Sequence, residues 1–268
     1  MTYEGVLTKM QTEYSNPIQY YLVFESSFLN LNQLLNKSLE INFLGYQCLN
    51  CRKKKKIFRQ GFCYDCFMSS PAAGDWIMKP ELSTAHLDIE DRDLDYEKKV
   101  QLQPHIVYFA FSSEIKVGVT RFTQVPTRWI DQGAIQALPI VEVPNRYLAG
   151  ITEVALKNLY ADKTNWQKML KMNPKTSETA FDLIKERAGL KYLIPKEVQE
   201  FFHPEKEDLY ELHFPVLEYP KKVNSLNLDK SPNFSGKLTG IKGQYLLFED
   251  GTVFNVRTFE GYVVKISL

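Results

Sequence analysis

The four cysteines of this chain all lie in one short segment, with the spacing Cys-x2-Cys-x11-Cys-x2-Cys. Two such pairs joined by a loop can direct four thiolates at one point, which is the ligand set of a structural zinc site. An iron–sulfur cluster also takes four thiolates, although its usual spacings differ, and a redox dithiol pair is a third alternative. Zinc fits best because all four cysteines are used and no ligand position stays open. We therefore predict a structural zinc ion bound by Cys48, Cys51, Cys63 and Cys66.

The segment between the two cysteine pairs, residues 52–59, is called the basic loop here because it carries six positive charges. Such a density of charge suits contacts with the phosphates of nucleic acid, and Phe58 and Phe62 could add stacking on bases. The other interpretation is a solvated loop that its charge keeps soluble. We expect nucleic-acid contacts from Arg52, Lys53, Lys54, Lys55, Lys56 and Arg59.

The elements after position 104 follow a β-β-α-β-α order. Apolar, β-rich runs predict strands, and the first two runs pair across a Ser112-Ser113 turn. Proline suits the first turn of a helix. The predicted elements are strands at 105–112, 114–121 and 137–144, a helix that begins at Pro126, a helix from 146 to 171, and further helical segments at 177–190 and 195–202.

The two ends of the chain are rich in strand patterns, and neither end alone is long enough to form a stable domain. Three runs at 5–10, 18–24 and 39–46 resemble strands, and four more lie between 236 and 268. Lys242-Gly243 and Asp250-Gly251 fall where turns are expected. We expect the N- and C-terminal segments to pair into one small antiparallel β-structure, which makes the fold class α+β.

Composition limits the kinds of partner. The net charge of +1 excludes a uniformly basic protein, so affinity for nucleic acid has to come from local patches. No stretch approaches the roughly 18 apolar residues of a membrane helix, and the first residues lack the features of a signal peptide. We expect a cytoplasmic protein without a membrane partner, in which the thiols are kept reduced.

The central strands and helices resemble the GIY-YIG nuclease superfamily in its more divergent branches. Ile106-Val107-Tyr108 stands at the place of the Gly-Ile-Tyr triplet, and Lys116-Val117-Gly118 at that of Tyr-Ile-Gly. Arg128 matches the arginine of the first helix, and Glu153 the glutamate of the later helix. The segment from about Tyr46 to Leu170, cysteines included, is also similar to DUF2797, a bacterial family of uncharacterised proteins.

The resemblance to GIY-YIG enzymes implies phosphodiester hydrolysis. Glu153 would hold a divalent Mg or Mn ion, Arg128 a phosphoryl oxygen, and Tyr108 the attacking water. Gly118 would let the backbone pass close to substrate. Lys116 departs from the family tyrosine, and a lysine is a poor base unless it is desolvated. Arg121, Trp129 and Gln132 are expected near the same cleft, where Arg121 and Trp129 would bind nucleic acid.

Each residue of this set also has a purely structural interpretation. Tyr108 fits a strand core, and Arg128 could pair with a carboxylate. Glu153 lies away from an apolar stripe of the last long helix, on the solvent side. That stripe is formed by Leu148, Ile151, Ala155 and Leu159. The enzyme hypothesis therefore requires Tyr108, Arg128 and Glu153 to converge in one cleft.

Together these features predict seven consecutive segments. They are an N-terminal β segment (1–46), a zinc-binding module (47–80), an acidic linker (81–103), a GIY-YIG-like domain (104–173), a helical extension (174–214), a linker (215–232) and a C-terminal β segment (233–268). We predict a zinc-containing protein that binds nucleic acid, and the first hypothesis is that it is a metal-dependent nuclease. The alternatives are a DNA- or RNA-binding protein without nuclease activity and a zinc-stabilised scaffold for protein interactions.

Overall fold

The computed structural model describes residues 1–160, 165–174, 182–205 and 208–268, which form a mixed α+β protein. The strands are β1 (Thr2–Val6), β2 (Gln11–Glu13), β3 (Gln19–Val23), β4 (Phe28–Asn30), β5 (Ser38–Tyr46), β6 (His105–Phe111), β7 (Ile115–Arg121), β8 (Gln136–Val143), β9 (Tyr210–Glu211), β10 (Asn224–Ser225), β11 (Asn233–Lys242), β12 (Tyr245–Phe248), β13 (Thr252–Asn255) and β14 (Tyr262–Ser267). The α-helices are α1 (Tyr64–Ser69), α2 (Leu94–Gln101), α3 (Thr127–Asp131), α4 (Arg146–Leu156), α5 (Trp166–Lys171) and α6 (Leu183–Ala188).

The chain divides into two compact units. The terminal unit consists of Met1–Ser69, Leu170–Asn173 and His213–Leu268. The α/β unit consists of Ser70–Met169 and Pro174–Leu212. The cysteine segment belongs to the terminal unit, and Tyr108, Lys116, Arg128 and Glu153 belong to the α/β unit.

The terminal unit is built on a sheet that both ends of the chain share. Its strand order is β1-β14-β5-β11-β12-β13-β10, and all pairs are antiparallel except β10 with β13. Thr2 pairs with Ser267, so the N- and C-terminal segments lie side by side, in a larger sheet than the sequence predicts. The two predicted turns carry Gly243 and Gly251 at φ values of 61° and 83°, which favour glycine. A second sheet in this unit has the order β2-β3-β4.

The α/β unit is built on an antiparallel sheet of order β7-β6-β8-β9. Every residue of the central strand β6 is buried, as expected for an apolar run with a strand on each side. Phe111 pairs with Ile115, which confirms the predicted hairpin between β6 and β7. The predicted third strand and the short helix before it are confirmed as β8 and α3.

The long helix that the sequence predicts from 146 to 171 is shorter in the structure. Helix α4 ends at Leu156, and α5 begins only at Trp166, with positions 161–164 outside the described residues. The segment predicted at 177–190 lies partly outside them too, and its described part contains α6. Within the described ranges, no helix is long and apolar enough to cross a membrane.

The buried face of α4 differs from the predicted apolar stripe. The buried residues are Ala149, Gly150, Thr152 and Leu156. The reason is a 3-10 turn, Pro80–Leu82, that packs on α4. A Cβ atom on Gly150 would come within 2.2 Å of the Glu81 backbone nitrogen, so only glycine permits this approach. Because the helix is covered there as well as by the sheet, Glu153 is half-buried rather than solvent-facing.

The acidic segment 81–103 is folded, whereas its composition predicts a solvated linker or a strip that pairs with the basic loop. It contains α2 and a 3-10 turn, Ala85–Leu87. The carboxylate of Glu97 is buried and accepts hydrogen bonds from the backbone N–H groups of Asp91, Arg92 and Asp93 at 2.7–3.0 Å. These bonds stabilise the turn before α2, since a buried carboxylate needs such donors.

Candidate functional site

The four cysteines meet in the terminal unit and form the only group of three or more possible metal-ligating side chains that the described part of the chain contains. Their sulfur atoms all lie within 4.8 Å of one another, and the Cys51 and Cys63 sulfurs are 4.0 Å apart. Zinc–sulfur bonds of about 2.3 Å in a tetrahedron place the sulfurs about 3.8 Å apart. The cluster can therefore hold a metal ion such as zinc, with all four predicted ligands contributing.

Local backbone geometry positions these sulfurs. The Cys48 N–H donates to the Lys53 carbonyl at 3.0 Å, and the Arg52 N–H donates to the Cys48 carbonyl at 2.9 Å. Burial opposes ionisation of Cys48, but N–H groups of Cys63, Cys51 and Asn50 point at its sulfur and lower its pKa to about 6. An amide-stabilised thiolate is the form that binds a metal, so the environment of Cys48 fits a ligand role.

The basic loop lies on the surface, and all six of its cationic side chains are exposed. Lys55 forms an ion pair with Asp65 at 2.6 Å, and the Arg59 guanidinium lies over the Phe58 ring at 5.4 Å. Phe62, which the sequence predicts to stack on bases, is half-buried and packs against the cysteine cluster. Of the two phenylalanines expected to stack on bases, Phe58 is the exposed one.

A second candidate site is a cavity of about 380 Å³ in the α/β unit, called the central cavity here. Its walls come from β6, β7, α3, α4 and the segment 77–81. The predicted residues Tyr108, Lys116, Gly118, Arg128, Gln132 and Glu153 all line it. The structure thus brings Tyr108, Arg128 and Glu153 together, as the enzyme hypothesis requires.

Positive charge dominates the central cavity. Its charged lining residues are Lys79, Lys116, Arg128, Arg146 and Lys157 against Glu81 and Glu153. Lys116 is only 6% exposed, and burial together with the nearby Arg128 charge lowers the pKa of its ammonium to about 7, against the opposing effect of Glu153. Burial also lowers the pKa of the Arg146 guanidinium to about 10. An anion in the cavity would neutralise these desolvated charges.

Tyr108 lies in the wall of the cavity as a hydrogen-bond donor. The residue is fully buried, and its hydroxyl donates to Gln132 Oε1 at 3.0 Å. Burial raises the pKa of the phenol, against the opposing effects of the Arg128 charge and the Gln132 hydrogen bond. Gly118 is its cross-strand neighbour, and a Cβ there would lie 2.7 Å from the Tyr108 hydroxyl oxygen. Gly118 therefore makes room for this tyrosine.

Trp129 and Arg121 do not line the central cavity. Trp129 is fully buried, with its ring 5.6 Å from that of Tyr108 and 4.8 Å from that of Tyr210. It is a core residue of the α/β unit, which corrects the prediction that it contacts nucleic acid. Arg121 ends β7 and is half-buried, opposite His105.

Arg146 and Glu81 are site residues that sequence reasoning missed. Arg146 donates from Nε to the Trp76 carbonyl at 3.1 Å and from Nη2 to the Ile77 carbonyl at 2.8 Å, which attaches the cavity wall to α4. A sequence signal for Arg146 does exist, since a cation at the first position of a helix opposes the helix dipole. Glu81 is brought in by the 3-10 turn on α4, and no local pattern marks it.

The α/β unit also has a larger cavity of about 540 Å³, lined mainly by apolar side chains. Ile106 is the member of the GIY-YIG-like triplets that reaches it, and neither Arg128 nor Glu153 does. Its ionisable lining residues are Glu142, Arg187, His203, Asp208 and Tyr210.

Comparison with known proteins gives a family and no more. A family model described as "Protein of unknown function (DUF2797)" matches residues 36–264, a range that includes the cysteine cluster and the central cavity. No curated protein and no solved structure matches the chain significantly.

Proposed function

Because the chain belongs to the DUF2797 family, whose function is unknown, we propose a function from the chemistry of its sites: a divalent-metal-dependent nuclease of nucleic acid. The observation that carries the proposal is the convergence of Lys116, Arg128, Glu153 and the Tyr108 hydroxyl on one cavity. Tyr108, Arg128 and Glu153 are positions at which the chain resembles GIY-YIG enzymes, and Lys116 stands where those enzymes have a tyrosine. The substrate would be a phosphodiester, an anion that suits the excess of positive charge.

Arg128 is proposed to bind and orient a phosphoryl oxygen. A guanidinium offers paired N–H donors that match two phosphate oxygens, and its charge offsets the negative charge of the transition state. Tyr108 and Gln132 would hold Arg128 and a water molecule in place through hydrogen bonds. Lys116, whose pKa of about 7 leaves part of the population neutral, is the group in the cavity best able to accept a proton from that water.

Glu153 is proposed to hold an Mg or Mn ion, with Glu81 on the same cavity as a second oxygen donor. One or two carboxylates are a normal protein contribution for magnesium, because phosphate and water oxygens complete its coordination. The ion would supply charge stabilisation to the phosphate and to the leaving oxygen. At the cysteine cluster we propose zinc in a structural role, since four thiolates leave no ligand position for substrate.

A second candidate is a protein that binds DNA or structured RNA without cleaving it. The buried phenol of Tyr108, held protonated and bonded to Gln132, favours this candidate, because it removes the tyrosine as a base. The basic loop would serve either candidate equally.

A cleavage assay separates the two. Branched DNA, duplex DNA and transfer RNA are incubated with the chain and Mg²⁺ or Mn²⁺, alongside Glu153→Ala and Arg128→Ala. Each substitution should reduce cleavage about 100-fold or more, as removal of a charge-stabilising group does in other enzymes. Glu114→Ala is the matched control, since Glu114 is an exposed carboxylate paired with Lys168 outside the cavity.

Cleavage that Glu153→Ala leaves unchanged would contradict the metal role. Binding at low salt without cleavage by the native chain would favour the non-catalytic candidate. Absence of binding at low salt would overturn both and leave the scaffold hypothesis.

A further inference from the structure

Two aromatic rings lie exposed beside the basic loop. Phe58 is 46% exposed and Tyr64 is 59% exposed, and their ring centroids are 5.2 Å apart in an edge-to-face arrangement. The ring of Phe67 packs against Phe58, with the two ring centroids 5.3 Å apart. Large rings left in water at a supported position are available to bind a partner.

The basic loop carries positive charges next to Phe58. Lys55 is neutralised by Asp65, but Arg52, Lys53, Lys54, Lys56 and Arg59 form no ion pair within the described residues. The Arg59 guanidinium lies over Phe58, so charge and ring belong to one surface. A partner must therefore offer both negative charge and flat apolar groups.

The surface is held in shape before any partner arrives. The Phe58 N–H donates to the Phe62 carbonyl at 2.7 Å, and the Phe62 N–H returns a bond to the Arg59 carbonyl at 2.8 Å. Gly61 takes a φ of 77° at the turn between Arg59 and Phe62, and Phe62 packs against the cysteine cluster. Less entropy is lost on binding when a surface is already ordered.

We propose that this surface, formed by Phe58, Tyr64 and the basic loop, binds single-stranded nucleic acid by stacking unpaired bases on the two rings. The cations of the basic loop would be sufficient to bind phosphates, and exposed aromatic rings would add nothing to that binding. In a duplex the faces of the bases are covered by the neighbouring bases. Exposed aromatic rings can therefore stack only on unpaired bases. The proposal rests on the nucleic-acid partner of the proposed function, and it adds the strand state of that partner.

Binding is measured by fluorescence anisotropy with a 12-nucleotide single strand and the matching 12-base-pair duplex, without added Mg²⁺ or Mn²⁺. Because no cleavage is needed, a failed nuclease proposal would leave this result unaffected. Tyr64→Ala should weaken single-strand binding about 5- to 150-fold, the range that loss of one stacked base gives. Tyr64→Phe keeps the ring and should retain the affinity.

Charge and ring contributions are separated by salt. Lys54→Gln should reduce the slope of log affinity against log salt by about 0.7, while Tyr64→Ala should leave that slope unchanged. Metal content of each variant confirms that the cysteine cluster is intact. Equal affinity for single strand and duplex, or a Tyr64→Ala change below twofold with the metal retained, would overturn the proposal.

Discussion

Replacing Lys242 by methionine should stabilise the terminal unit at pH 6.5. Lys242 ends β11 and is completely buried. Its Nζ donates to the Met172 carbonyl at 3.2 Å and lies 5.7 Å and 5.4 Å from the ring centroids of Phe214 and Tyr219. Burial lowers the pKa of this ammonium from 10.5 to about 7. Below pH 7 the folded chain therefore buries a charged ammonium that water solvates in the unfolded chain.

The sign and size follow from proton linkage. Between pH 7 and 10.5 the unfolded chain holds a proton on this lysine that the folded chain does not hold. Stability therefore rises with pH in that window. It is lost as pH falls from 10.5 to about 7 and changes no further below that, because both states then hold the proton. Each pKa unit corresponds to about 1.4 kcal/mol, so the full shift gives about 5 kcal/mol and the interval from pH 6.5 to 8.5 about 2 kcal/mol.

The measurement has to report on the terminal unit. All three tryptophans of the chain lie in the α/β unit, so their fluorescence does not serve. We suggest urea-dependent hydrogen exchange of peptides from β11 and β12 at pH 6.5 and 8.5. The native chain should gain about 2 kcal/mol in free energy of unfolding relative to Lys242→Met over this interval.

Lys237→Met is the matched control on the same strand. Lys237 is partly exposed and pairs with Glu249 at 3.1 Å, an interaction that contributes at most about 1 kcal/mol because water screens it. If Lys242→Met and the native chain show the same pH dependence, the reasoning from burial is refuted.

Three further predictions concern the two sites. Cys63→Ser should lower bound metal by elemental analysis and destabilise the cysteine module, whereas full metal content would contradict a four-thiolate site. Gly118→Ala should cost about 1–3 kcal/mol in urea unfolding, because its Cβ meets the Tyr108 hydroxyl, and Tyr108→Leu in the same chain should recover part of that loss. Arg146→Met leaves the carbonyls of the turn at 75–77 without their donors, so we expect a loss of about 1–3 kcal/mol and faster proteolysis there; an unchanged digestion pattern would refute it.

The parts of the fold that sequence could predict are those that local signals specify. The β6–β7 hairpin follows from two apolar runs around Ser112-Ser113, and the turns at Gly243 and Gly251 follow from glycine at positive φ. The meeting of the four cysteines follows from their spacing, because each pair is local and one short loop joins them. In each case residues close in sequence supply the decisive interactions.

The remaining features depend on residues distant in sequence. The covered face of α4 is set by the turn Pro80–Leu82, which no periodicity within the helix can reveal. Trp129 is exposed or buried according to whether Tyr108 and Tyr210 reach it, and Tyr210 lies on a strand of two residues. The same burial places the Tyr108 hydroxyl in a hydrogen bond to Gln132, which no local pattern in β6 indicates. Side-chain chemistry at the cavity was therefore harder to predict than the positions of its residues.

The position of β5 in the terminal sheet has a consequence for synthesis on the ribosome. Asn42 of β5 pairs with Asn233 on one side and Lys265 on the other, so both neighbours of this strand are translated long after it. At about 5–20 residues per second, β5 waits roughly 10–40 seconds with its hydrogen-bonding edges open. The cysteine pairs and the β6–β7 hairpin can form during that delay, and a nascent chain is most exposed to aggregation until β14 emerges.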